Sequence, residues 1–177
     1  MAGHTCNITG LYACSTDLQC GRTGTPGVCQ QGSSEYNPYR NGMTTLFGRG
    51  AGFNIDTTKK FTVKTRFITN DGTENGTLTA IKRYYVQNGT EYYGGDLPTA
   101  NLLKIGQAFK RKMVLVVSIW DDEYSRMLWL DGVWPAGSTV PSDKRGPCSA
   151  SSGNPSVMRT TVPNSTVVYS NVQITNL

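Results

Sequence analysis

Charge and apolar bulk are both scarce in this chain. Of 177 residues, 16% are Asp, Glu, Lys or Arg and 37% are apolar. A helical bundle carries more of both, so that class is set aside. A metal centre built on imidazoles is excluded by a single histidine, His4. No apolar run approaches the roughly 20 residues of a membrane-spanning helix. Met1-Ala2-Gly3-His4 leads straight into a polar, cysteine-containing stretch and does not read as a secretory leader. What the chain has instead is glycine (20 residues), proline (8), aromatics at 10%, and frequent Thr and Asn. That is the profile of a loop-rich all-β protein with enough length for one cored domain, and the aromatics speak against disorder.

The net charge of +5 is spread thinly. Its only clusters, Lys59-Lys60 and Lys110-Arg111-Lys112, abut expected strands and read as guards against edge pairing. No recognition motif accompanies them, so nucleic acid is not an expected partner.

The organising stretch is Met113 to Asp131, MVLVVSIWDDEYSRMLWLD. Its β-branched, continuously apolar start predicts a buried strand over 113–120. Alternation puts Val114, Val116, Ser118 and Trp120 on one face. The run then turns abruptly into Asp121-Asp122-Glu123-Tyr124, and Trp129 follows between two leucines. Indole faces stack on pyranose rings and carboxylates accept from sugar hydroxyls, so the combination fits a sugar-binding cleft. The plain alternative is a core strand whose Trp packs inward and whose acids form a solvated turn.

Other segments follow the same β logic. Phe61 to Phe67 alternates as a strand with one wet face. Asn70-Asp71-Gly72 reads as a turn, Leu78 to Gln87 as a strand, and Asn88-Gly89 as a hairpin signal. Residues 91–101 are polar and Gly-rich. Leu102 to Phe109 reads as a short helix or an irregular crossing. Residues 132–165, with five prolines, read mostly as loop. Val167 to Ile174 alternates as a last strand. Short strands between long loops predict an antiparallel sandwich without a domain linker.

Cys6, Cys14, Cys20 and Cys29 crowd the N-terminal region and Cys148 stands far away. Four close cysteines in a Gly/Thr/Pro-rich loop read as two disulfides; zinc is the rival, but the spacings are not of the paired kind. Asn7, Asn75, Asn88 and Asn164 each open an N-glycosylation sequon, which points to a secreted protein. An odd cysteine and a missing leader together predict that an N-terminal portion of the protein is absent.

Five blocks then carry a resemblance. Tyr36-Asn37-Pro38-Tyr39-Arg40, Asp56 to Val63, Arg83 to Gly89, Met113 to Asp131, and Arg145-Gly146-Pro147-Cys148-Ser149 occur in the order found in the C-terminal part of family 7 glycoside hydrolases. The chain resembles these secreted cellulases from about His4 to its end. The resemblance implies that residues 1–177 are the C-terminal part of a single catalytic domain. The implied fold is all-β, an antiparallel β-sandwich of jelly-roll, concanavalin-like type, incomplete because N-terminal strands are missing. The implied activity is retaining hydrolysis of β-1,4-glucan, cellulose or cello-oligosaccharide, without cofactor or metal and as a monomer when full length.

A retaining mechanism needs two carboxyl groups about 5 Å apart. The family supplies them in the pattern E-x-D-x-x-E, just upstream of the position that His4-Thr5-Cys6 resembles, and this chain does not contain that pattern. No catalytic residue is therefore expected here, and the chain alone is expected to be inactive and to fold poorly. The groove residues implied by the resemblance are Trp120 and Trp129 as stacking platforms, Asp121 and Tyr124 as hydrogen-bonding partners of sugars, Arg145 on the product side, Arg40 along the groove, and His4 near the leaving-group side. Surface ion pairs for the arginines and a solvated terminus for His4 are the plain alternatives. The resemblance implies pairs Cys6–Cys29 and Cys14–Cys20, with Cys148 unpaired. It also implies departures. A family cysteine is replaced near Ser33 or Ser34, and the loop that bears its partner is lost from 94–108. Arg22 is the stand-in for an arginine of another shortened loop. A shorter covering loop implies a more open groove, so endo action is as compatible as processive action from a chain end. A non-catalytic glucan-binding module and a structural remnant remain the rival readings.

Overall fold

The computed structural model describes residues 1–20, 27–29 and 34–176. Arg22 and Ser33 lie outside the described residues. The chain divides into two compact units, described here one at a time: Met1–Tyr36 with Gly48–Met113, and Asn37–Phe47 with Val114–Leu177.

Among the described residues the strands lie in the first unit, apart from Phe47 at the start of β1. A short pair is made by β1 (Phe47–Gly48) and β2 (Ile55–Asp56), and a three-stranded antiparallel meander by β3 (Thr62–Thr69), β4 (Leu78–Gln87) and β5 (Thr90–Asp96). The β3–β4 register sets Phe67 opposite Ile81 and Thr65 opposite Arg83. Asn88 and Gly89 both take positive φ, 52° and 77°, which is the geometry a two-residue hairpin of matching twist requires. Between β3 and β4, Asn70 both donates its N–H to the Thr77 carbonyl and accepts from the Thr77 N–H through its side chain.

β5 is a strand that the sequence reading left as polar, Gly-rich chain. Its glycines are functional to packing: Gly95 (φ 112°) lies against the Tyr36 ring, and Gly94 against Tyr85. A side chain at either position would collide with an aromatic, so low strand propensity here marks a close approach. The helix α1 (Leu102–Lys110) settles the open reading of 102–109 in favour of a helix. It sets Leu102 and Ile105 into a core with Leu78, Ile81 and Leu97, and Gly106 lets it close on Leu78.

Two disulfides, Cys6–Cys29 and Cys14–Cys20, staple the N-terminal segment, and Cys148 is a free thiol. Ser34, where the family cysteine was expected to be lost, is fully buried. Its hydroxyl accepts from the Asn101 side chain at 2.9 Å. Asn101 belongs to the same 94–108 segment that was read as having lost the partner cysteine, so a hydrogen bond ties the two segments in this chain.

The second unit departs most from expectation. Residues 113–120 form no helix or strand and join no ladder among the described residues, and Val114 is 85% exposed. The expected last strand over 167–174 likewise joins no ladder among the described residues, is broken by a positive φ at Asn171, and is exposed. Both expectations of a paired strand are corrected. β-branched residues favour the pleated geometry, but a strand also needs a neighbour to take its N–H and C=O groups. The Tyr169 hydroxyl donates to the Ser118 carbonyl at 3.1 Å, linking the two segments. The reading of 132–165 as mostly loop holds, with the helix α3 (Pro155–Thr161) set within it after the four-residue helix α2 (Leu128–Asp131). Asn154 caps α3, accepting from the Ser156 N–H, and Pro155 occupies the first helical position where its missing N–H costs nothing. The fold is all-β in class with antiparallel sheets, of the β-sandwich type.

Candidate functional site

Six of the seven groove candidates fall in the second unit. Trp120 ends the apolar ribbon and is 65% exposed. The chain then winds into a tight turn over 122–127. Asp122 is its organiser. Its Oδ1 accepts from the N–H groups of Tyr124 (3.0 Å) and Ser125 (2.9 Å), and its Oδ2 accepts from the Ser125 hydroxyl and from Trp129 Nε1–H (3.0 Å). Arg126 and Met127 take positive φ to close the turn, and α2 begins at once. Leu128 is buried under α2 and Trp129, half-buried beside it, reaches back to Trp120. The two ring centroids are 5.8 Å apart with planes tilted by 56°. Burial opposes ionisation of Asp122, but the bonds from Ser125, Trp129 and Tyr124 outweigh it and hold the carboxyl well below the usual range.

The three consecutive acids are thus divided. Asp121 and Glu123 both go to one guanidinium on α3: Arg159 Nη2 lies 2.9 Å from Asp121 Oδ2, and Arg159 Nη1 lies 2.7 Å from Glu123 Oε1. Asp122 alone goes to the indole. This division is made by a turn and a helix-borne guanidinium, not by the alternation of a strand. Asp121 is therefore engaged by Arg159, while Tyr124, at 94% exposure, stands in solvent.

Arg40 sits in the 3₁₀ turn Tyr39–Asn41 and donates from Nε to the Ser142 carbonyl at 2.8 Å. Asn37 supports it from both sides, accepting the Arg40 N–H and donating its side-chain amide to the Leu130 carbonyl. Arg145 is half-buried, and its N–H donates to the Gly132 carbonyl at 2.7 Å, just past α2. Gly146 is pressed against the Asp131 carbonyl, which leaves no room for a side chain. His4 is exposed and belongs to the first unit. Trp120, Trp129 and the acidic turn are brought together; Arg40 and Arg145 are each anchored to the loop that follows α2.

Asp122 and Arg159 were not singled out in the sequence. The signal for Asp122 was present: an acid three residues before a serine and seven before a tryptophan, at the break from apolar run to turn. Arg159 carried no readable signal, because α3 lay in a proline-rich stretch. In the first unit Arg83 Nε and Asp96 Oδ1 are buried without a hydrogen-bond partner, and the reading gave neither residue a role. No group of metal-ligating side chains occurs among the described residues.

Comparison with known proteins gives a consistent answer. The model of glycosyl hydrolase family 7 matches residues 1–102 and 96–177. The two matched stretches meet where the sequence reading places a shortened loop. A family 7 cellobiohydrolase from Daphnia pulex is 32% identical and superposes with a TM-score of 0.79, over 89% of this chain and 43% of its own. The native endocellulase of Humicola insolens is 32% identical, with a TM-score of 0.70 over 90% of this chain and 42% of its own. A cellobiohydrolase from Melanocarpus albomyces, solved with cellotetraose, is 28% identical with a TM-score of 0.64 over 78% of this chain and 37% of its own. The chain therefore spans less than half the length of these relatives.

Proposed function

Since the chain belongs to glycosyl hydrolase family 7, we propose that it carries part of the substrate groove of a secreted, retaining β-1,4-glucan hydrolase and not the catalytic carboxylates. The observation that supports this best is the exposed Trp120 set against Trp129, beside an acidic turn and on a unit that also holds Arg40 and Arg145. An open indole face offers a pyranose its stacking surface, and polar groups beside it select the hydroxyl pattern. Asp121, Tyr124 and His4 complete the proposed set of sugar contacts, with Arg145 on the product side and Arg40 further along.

Hydrolysis needs one carboxyl that stays protonated to act as acid and a second that attacks. Two of the four glutamates are committed otherwise. Glu91 is held low by the Lys64 ammonium, against the pull of its own burial and with help from Arg66, and Glu123 is paired with Arg159. The sequons at Asn7, Asn75, Asn88 and Asn164 all lie on exposed residues, which suits a glycosylated, secreted protein.

The test is titration of the folded chain with cellohexaose, followed by analysis of the sugar. Heat of binding that disappears in Trp120→Ala, with cellohexaose recovered intact, is the expected result. Release of shorter oligosaccharides would overturn the non-catalytic assignment, and no heat from folded protein would remove the groove.

A further inference from the structure

A stacking platform is only useful if its ring is held at a fixed angle. Trp129 sits on a helix of four residues, which by itself fixes little. Two contacts set its ring: the Trp120 indole at 5.8 Å and the Asp122 carboxylate at 3.0 Å from Nε1. Asp122 is in turn held by its own turn, through the Tyr124 and Ser125 N–H groups and the Ser125 hydroxyl. Its two neighbours cannot replace it, because Arg159 occupies both Asp121 and Glu123.

We propose that Asp122 is a positioning residue for the glucan platform: its carboxylate fixes the Trp129 indole, through Nε1–H, at the angle that receives a sugar ring. This rests on the groove reading for the sugar and on geometry alone for the indole. A charge-assisted hydrogen bond from a carboxylate is stronger than a neutral one and directional. It restrains rotation of the indole about its side-chain torsions, which would otherwise be lost as entropy on binding.

The experiment uses the full chain with Asp122→Asn. The amide oxygen still accepts from the turn N–H groups, while the NH2 meets the indole N–H, donor against donor. Tryptophan indoles are labelled with nitrogen-15, and Trp129 is assigned by its loss in Trp129→Phe. In Asp122→Asn the Trp129 indole resonance is expected to move and to exchange with solvent about tenfold faster, and cellohexaose affinity to fall about tenfold. Trp129→Phe lowers affinity by a similar factor, and the double variant binds no more weakly than either single one. An unchanged resonance and exchange rate in Asp122→Asn, or losses that add in the double variant, would overturn the proposal. Should Asp122→Asn fail to fold, the wild type decides, since a carboxylate-bound Trp129 N–H exchanges about tenfold more slowly than that of exposed Trp120; equal rates overturn it. If the wild type binds no cellohexaose, the groove reading fails, and the indole resonance alone upholds or overturns the positioning role.

Discussion

Gln87 and Asp56 hold each other twice: the Asp56 N–H donates to Gln87 Oε1 at 2.9 Å, and Gln87 Nε2 donates to the Asp56 carbonyl at 3.0 Å. A buried amide side chain thus extends the hydrogen-bond pattern of β4 onto β2. The same Nε2 also reaches the Lys60 carbonyl. Gln87→Leu would strand these backbone groups in a buried place. Urea unfolding should show a loss of about 3 kcal/mol, the cost of leaving two or three such groups unsatisfied. A loss below about 1 kcal/mol would mean that water takes over the bonds.

Acid should weaken the chain through particular carboxylates. Asp56 is held well below the usual range by the Thr58 hydroxyl and by the Gly50 and Thr58 N–H groups, and Asp122 by the bonds of its turn. A folded-state value below the unfolded one stabilises the fold fully above the unfolded value, near 4, and that stabilisation is lost as pH falls toward the folded one. The melting temperature should drop steeply between about pH 4 and pH 2, and Asp122→Asn should flatten part of that drop. At the alkaline end Tyr93, pushed up to about 12 first by its hydrogen bond to Asp96, acts with the opposite sign. Its contribution is present below about pH 10 and lost as pH rises toward 12.

Residues 113–120 should drive self-association. Both faces of this ribbon are apolar and uncovered, and an unpaired edge of that kind templates further pairing. Val116→Lys should raise the concentration at which light scattering begins by severalfold and leave the melting temperature of the chain within a few degrees. No change in scattering would place the sticky surface elsewhere.

Ser34→Ala removes the hydroxyl that accepts from Asn101 and should cost about 1 kcal/mol in thermal or urea unfolding. An unchanged stability would show that packing alone carries this junction.

The parts legible in the sequence were those decided by local chemistry. β4 begins and ends where its alternation does, and Asn88-Gly89 announces the hairpin because positive φ is cheap only for such residues. β5 was not legible, since Gly94 and Gly95 read as breakers until Tyr85 and Tyr36 are seen lying against them. The ribbon at 113–120 shows the converse. Its composition states a preference for pleated geometry and says nothing about whether a partner strand is present. At the site, Trp120 and Trp129 stood out as large aromatics beside acids. The division of labour within Asp121-Asp122-Glu123 depends on Arg159, which is 36 residues beyond Glu123 in the chain, and no local pattern encodes such a pairing.

Cys148 bears on how the chain acquires its disulfides. Its thiol is pushed up by burial and further by the neighbouring Asp131 carboxylate, so near neutral pH it stays protonated and is a poor nucleophile. Once the segment around it has formed, the fifth sulfur withdraws from exchange. Within this chain the sulfurs left to pair are those of Cys6, Cys14, Cys20 and Cys29, and they join as Cys6–Cys29 and Cys14–Cys20.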